Sequence, residues 1–278
     1  MTEDILAKRI VYQIPGMDKV EVRRDLVYGG AGAGMDVYIP PDVPPAMRLP
    51  GVLLIHGGPL PAPPPGGGGG GAGEGGGMRP PRTWGAYLSY GELIAASGMV
   101  AVTFDHRYFG WGALDPSAGD VEAAIQYVRE RADSFQLDPD RLALWAFSGG
   151  GVLLSPFLRQ RPAYVRALAA YYPIFDLADF RDVGPELTDD LVERYSPAAA
   201  IRGGAGRGVP PLFLGRAGQD SPRLLQGVDR FVQAALAANA PLALMNHPGG
   251  RHGFDILDDD LFTRTILART LDFLKACL

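Results

Sequence analysis

The sequence is poor in cysteine, in positive charge and in long apolar runs. Its 278 residues include one cysteine, Cys277, which excludes an internal disulfide and any cysteine-rich zinc site. Lys and Arg total 26 against 31 Asp and Glu, a formal net charge of −5 with the four histidines neutral. Without an overall basic excess the chain lacks the electrostatic footprint of a nucleic-acid binder, and no nucleic-acid partner is expected. No apolar run reaches the roughly 20 residues that cross a bilayer, so no membrane partner is expected either. The first ten residues, MTEDILAKRI, lack the apolar stretch of a secretory signal, and the expectation is a cytoplasmic protein.

What is present is a rhythm. Short apolar runs alternate with longer helical patterns, the signature of an α/β domain. Residues 20–28 and 34–40 read as antiparallel strands joined by a glycine turn at 29–34, with RIVYQI at 9–14 as a further edge strand. Buried strands are expected at 51–56, 99–105, 141–147, 165–172, 211–216 and 241–247, and helices at 84–97, 117–134, 149–160, 222–239 and 258–276. Ser221-Pro222 is a helix start, with serine as cap and proline at the first helical position. Two segments interrupt this order. Residues 59–82 are low-complexity Pro and Gly, expected to form a flexible loop dispensable for folding. Residues 174–208 are a polar insertion, expected to form a small cap. Strand–helix alternation continues on both sides of each, so 1–278 is expected to be a single domain.

The chemistry centres on LALWAFSGGGVLL at 142–154, where one hydroxyl, Ser148, separates an apolar strand from a glycine triplet. A strand-to-helix turn there lifts the serine to the carboxyl edge of the sheet, and small neighbours are needed where strand and helix nearly touch. Ala146 and Gly150 make the pattern A-x-S-x-G where G-x-S-x-G is usual. The competing reading, a phosphate-binding turn, lacks the Lys-Ser/Thr of a P-loop and the G-x-G-x-x-G spacing of a dinucleotide site.

A serine hydroxyl needs a base, and the base needs an orienting carboxylate. His252, in PGGRHGFD after the last expected strand, can swing over the sheet edge; His247, tied to a strand end, ranks second. Asp220, in GRAGQD after the strand at 211–216, is the leading carboxylate, with Asp176 as rival. The order Ser148, Asp220, His252 is the nucleophile–acid–base order of α/β hydrolases. Oxyanion donors are expected from the Gly149 N–H and from the HGGP loop at 56–59, where Gly58 is the candidate, helped by Gly57, and Pro59 has no N–H. His56 and His106 read as structural.

HGGP at 56–59, DHR at 105–107, AFSGG at 146–150, GQD at 218–220 and GRHGF at 250–254 together resemble the α/β-hydrolase superfamily, and within it the dienelactone-hydrolase-like and prolyl-oligopeptidase-like branches. The resemblance runs over roughly residues 20–278. It implies an eight-stranded, mostly parallel sheet flanked by helices on both faces, with no cofactor and no metal. Dienelactone hydrolases carry a cysteine nucleophile where this chain has Ser148. The expected function is hydrolysis of a small carboxylic ester or lactone. The alternatives are an aminopeptidase or amidase of the same fold and a catalytically silent hydrolase fold that binds a ligand. Trp84, Tyr87, Tyr108, Phe109, Trp111, Phe147 and Phe175 fall near expected strand ends, and core packing is the expected role of most.

Overall fold

The computed structural model describes residues 4–29, 33–60, 79–205 and 208–278. The expectation of a flexible loop at 59–82 therefore lies mostly outside the described residues. Eight strands form one sheet in the order β1-β2-β4-β3-β5-β6-β7-β8. They are β1 (Glu21–Tyr28), β2 (Ala33–Ile39), β3 (Leu49–Ile55), β4 (Val100–Phe104), β5 (Leu137–Phe147), β6 (Val165–Tyr171), β7 (Leu212–Ala217) and β8 (Leu242–His247). β2 runs antiparallel to both neighbours, and all pairs from β4 through β8 are parallel.

Parallel strands need crossovers, and helices supply them on both faces. α1 (Gly85–Ala96) and α8 (Leu261–Cys277) cover one face. α2 (Leu114–Glu130), α3 (Ser155–Gln160) and α6 (Pro222–Ala237) cover the other. Three short helices complete the list among the described residues: α4 (Asp189–Tyr195), α5 (Pro197–Ala200) and α7 (Phe254–Leu257). Strand alternation sorts the core accordingly: Leu142, Leu144 and Ala146 of β5 join the α2 side, while Ala143, Trp145 and Phe147 join the α1 side. Because both faces are covered, these strands read as continuous apolar runs.

The structure corrects three local expectations. Residues 9–14 form no strand; Ile10 is buried and donates its N–H to Ser89 Oγ of α1 at 3.0 Å, and Val11 donates to the Asp255 carbonyl. The segment lies across helices, not on the sheet edge. The helix expected at 149–160 begins as a 3-10 turn over Ser148–Leu154, and α3 starts only at Ser155, with Pro156 in its first turn. Three glycines favour that tighter path. The last helix, expected from residue 258, starts only at Leu261, where Asp260 caps α8 by accepting from the Thr263 N–H at 2.9 Å.

The segment after β6 packs inward. Leu177, Leu187, Val192, Tyr195, Ala198 and Ile201 are all buried in the α2-side core. Asp189, Asp190 and Glu193 face outward. Of the flagged aromatics, Tyr87, Tyr108, Phe147 and Phe175 are buried, Trp84 and Trp111 are half-buried, and Phe109 is exposed.

Candidate active site

Ser148 follows the last residue of β5 with a φ of +50°. A left-handed non-glycine residue costs about 1–2 kcal/mol, so the surrounding structure must impose it. The constraint is visible in the glycines that follow. A Cβ at Gly149 would fall 1.7 Å from the Gly58 carbonyl oxygen, and one at Gly150 would fall 2.4 Å from that of His56. The serine turn is thus pressed against the loop after β3, backbone on backbone. Ala146 still lies inside β5, opposite Ile55 and Ala170, where a methyl packs in the core.

That close approach sets the backbone of Gly58 against that of Gly149, the two residues expected to donate to an oxyanion. The Gly58 nitrogen lies 2.9 Å from where a Gly149 Cβ would stand. Gly57 has another task, because its N–H donates to the Tyr87 hydroxyl at 3.2 Å. The loop rests on Tyr108, whose ring a side chain at Gly58 would strike.

His56 braces the same loop from beneath. Its Nδ1 lies 2.7 Å from the Gly57 carbonyl and so carries the proton, while Nε2 accepts from the His106 N–H at 3.3 Å. The two imidazoles stack at 3.5 Å, 6° from parallel, and His106 Nε2 reaches the His56 carbonyl at 3.2 Å. Burial pushes His56 down to about 4, and burial with the neighbouring imidazole pushes His106 down as well. Both are neutral spacers.

His252 stands over Ser148. Its Nε2 lies 2.9 Å from Ser148 Oγ, and its Nδ1 lies 2.8 Å from Asp220 Oδ2. A carboxylate can only accept, so Nδ1 carries the proton and Nε2 is left to take the serine hydrogen. The imidazole is 41% exposed and the Asp220 side chain only 5%, so the ring is open to a ligand while the carboxylate is shielded. Backbone bonds hold these two loops in register: Gly218 N–H donates to the His247 carbonyl at 2.8 Å and Gln219 N–H to that of Gly250 at 2.9 Å. Asp220 Oδ1 accepts from the Ser221 N–H at 2.7 Å.

The two rival residues have other partners. His247 is buried, with Nε2 3.1 Å from Thr263 Oγ1 and 3.2 Å from Asp260 Oδ1. Asp176 is buried too; it caps the turn at Leu177–Phe180 and accepts from Arg230 Nε at 3.0 Å. Among the described residues, no cluster of three or more His, Cys, Asp or Glu could hold a metal ion. No described helix is long and apolar enough to cross a membrane.

A family model described as BD-FAE matches residues 82–157. Esterase LipQ of Mycobacterium tuberculosis is 24% identical over 90% of this chain and 61% of its own length. The chain thus spans about three-fifths of that curated relative. Esterase 2 of Thermogutta terrifontis, solved with propionate bound, superposes with a TM-score of 0.70 over 94% of this chain and 96% of that one, at 20% identity. The chain has the α/β-hydrolase fold. Brefeldin A esterase, a bacterial homologue of human hormone sensitive lipase, superposes with a TM-score of 0.68 over 98% of this chain and 80% of its own, at 20% identity. In this fold, Ser148, Asp220 and His252 lie after β5, β7 and β8, at the carboxyl edge of the parallel sheet where such folds place their sites.

Sequence reasoning missed the residues behind His252. The Tyr172 ring lies 4.6 Å from the imidazole and its hydroxyl donates to buried Asp255 at 2.7 Å. These positions are 83 residues apart, and no motif spacing links them.

Proposed function

We propose that this protein is a serine hydrolase that cleaves small carboxylic esters or lactones through an acyl-enzyme on Ser148. The observation that carries the reading is the continuous relay from Ser148 Oγ through His252 to Asp220, with hydrogen-bond lengths of 2.9 and 2.8 Å. Ser148 Oγ attacks the ester carbonyl while His252 Nε2 takes its proton, and the carbonyl oxygen becomes an oxyanion facing the Gly58 and Gly149 N–H groups. Asp220 holds the imidazole and offsets its positive charge. The imidazolium then gives its proton to the departing alkoxide, which leaves as the alcohol. Water attacks the acyl-serine with the same base, and release of the acid restores Ser148. In a lactone the leaving alkoxide stays attached to the acyl group, so the product is one hydroxy acid.

The known proteins support the ester class. LipQ is named an esterase, and Thermogutta esterase 2 has been solved with propionate and with butyrate bound, both short acids. The serine in place of a cysteine favours general ester hydrolysis over the activity of dienelactone hydrolases proper. Labelling with a fluorophosphonate and mapping the adduct tests the nucleophile, and the expected residue is Ser148. An ester series run beside matched anilides tests the bond cleaved. Turnover of the anilides at rates equal to the esters would move the assignment to an amidase.

A further inference from the structure

Behind His252 lies a buried carboxylate that the proposed chemistry does not use. Asp255, in α7, is 1% exposed. Each of its oxygens accepts one phenolic hydrogen at 2.7 Å, Oδ1 from Tyr172 and Oδ2 from Tyr90. Burial raises the affinity of Asp255 for protons, opposed by the two phenols and by the His252 imidazole, so Asp255 and His252 interact electrostatically. A carboxylate taken out of water costs several kcal/mol unless its partners compensate, and an apolar side chain would fill the same space without that cost.

A second costly feature sits beside it. Tyr172, one residue past β6, has a φ of +37°. Its N–H still pairs with the Gly215 carbonyl at 2.9 Å, so the strained residue is anchored to the sheet. Its ring meets Phe254 edge-on at 5.4 Å and lies against His252 at 4.6 Å, tilted 56°. Strain that persists in a well-packed place is usually retained for a function. The buried acid and the strained tyrosine converge on the imidazole.

We propose that Asp255 and Tyr172 are positioning residues for His252: Asp255 pins the Tyr172 ring against the imidazole, and its buried charge favours the imidazolium formed when Ser148 gives up its proton. This rests on the role of His252 proposed above. The imidazole is then held on three sides, by Asp220 at Nδ1, Ser148 at Nε2 and Tyr172 on its face. The titratable groups around Asp255 are Tyr90 of α1, Tyr87 of the same helix, Tyr171 and Tyr172 of the β6 end, and His252. His252 is the only one of these that gains positive charge.

The test compares Tyr172→Phe, Asp255→Asn and Tyr90→Phe in the full chain on one short-chain ester, with kcat, KM, thermal stability and the pH profile measured for each. Tyr172→Phe and Asp255→Asn are expected to lower kcat about tenfold with little change in KM. Asp255→Asn should also move the midpoint of the acid limb of kcat/KM about half a pH unit or more toward lower pH, because a negative charge near the base is gone. Tyr90→Phe removes the same kind of bond from the other oxygen, but its ring packs on Trp145 and Phe147, so kcat should stay within about twofold. Losses that follow thermal stability equally in all three, with the acid limb unmoved, would reduce the cluster to a structural one. Unchanged kcat and midpoint in folded Tyr172→Phe and Asp255→Asn would overturn the proposal as well. If Asp255→Asn does not fold, the comparison of Tyr172→Phe with Tyr90→Phe decides by itself. Failure of the underlying reading shows separately, as turnover that survives Ser148→Ala.

Discussion

At the scale of single residues, the proposed roles separate side chains that sit close in sequence. Ser148→Ala is expected to lower ester kcat by about four orders of magnitude or more, the range found when a serine nucleophile is removed. Far-UV circular dichroism should stay unchanged. His252→Ala should abolish turnover, whereas His247→Ala should leave kcat near the parent value and lower thermal stability, since His247 is buried against Thr263 and Asp260. Asp220→Asn should cost far more kcat than Asp176→Asn, whose bonds run to Ala178 and Arg230. A larger loss of kcat for Asp176→Asn would reassign the acid. His56 yields a pH prediction. Its folded-state value is pushed from 6.5 down to about 4 by burial. A depressed histidine contributes stability that is complete above the unfolded value and is lost as pH falls through the folded one. Thermal unfolding followed from pH 7.5 to 4 should therefore show His56→Gln less stable than the parent at neutral pH, with the gap narrowing below about 6.5. A gap that stays constant over that range would contradict the neutral, load-sharing role of His56 under the loop after β3.

At the scale of elements, the site depends on how loops from different strands lock together. Gly218 is the tightest junction between the loops carrying Asp220 and His252: a Cβ there would meet the His247 and Pro248 carbonyl oxygens, each at 2.7 Å. Gly218→Ala should push these loops apart and lower kcat more than about tenfold, since a misplacement of about an ångström can cost about a hundredfold. The comparison is Gly249→Ala, where a Cβ meets nothing within 4 Å; its kcat should match the parent. These elements also show what the sequence carried. The inner strands of the parallel run were legible because burial on both faces leaves an uninterrupted apolar stretch, as at Leu142–Phe147. The segment at 9–14 was not, because Ile10, buried under α1, looks the same in sequence as a strand residue. The later start of the last helix, at 261 and not 258, was hidden for a related reason: Asp258, Asp259 and Asp260 are all good caps, and the bond to Thr263 decides which one it is.

At the scale of the whole molecule, the segment after β6 bears on which esters fit. Its apolar side chains, Leu187, Val192, Tyr195 and Ala198 among them, are used up in the core beneath it. Its outward residues include Asp182, paired with Arg223, and Asp189, paired with Arg181. A surface of that kind offers a long acyl chain little apolar area, so the gain of roughly 0.8 kcal/mol per buried CH₂ should stop early in a chain-length series. We expect kcat/KM on p-nitrophenyl esters to peak at short acyl chains. A rate that keeps climbing beyond about ten carbons would mean that such a chain is buried after all.

By itself the sequence determined the alternation of strands and helices, the strand-end positions of Ser148, Asp220 and His252, and the glycines where backbones must nearly touch. These are local matters, written in periodicity and in residue size, and they survive without knowledge of any partner. Only the tertiary structure decided which ordinary histidine meets the serine, since His247 and His252 differ by five positions and the choice turns on which one the β7 and β8 loops aim over β5. It alone showed how His56 and His106, read as structural from the sequence, do that work, as a stacked neutral pair under the Gly57 carbonyl. It alone assembled Tyr90, Tyr172 and Asp255, drawn from α1, the end of β6 and α7. Contacts between residues so far apart along the chain leave no spacing to read, because the distance between them is set by sheet order and helix packing and not by the sequence that separates them.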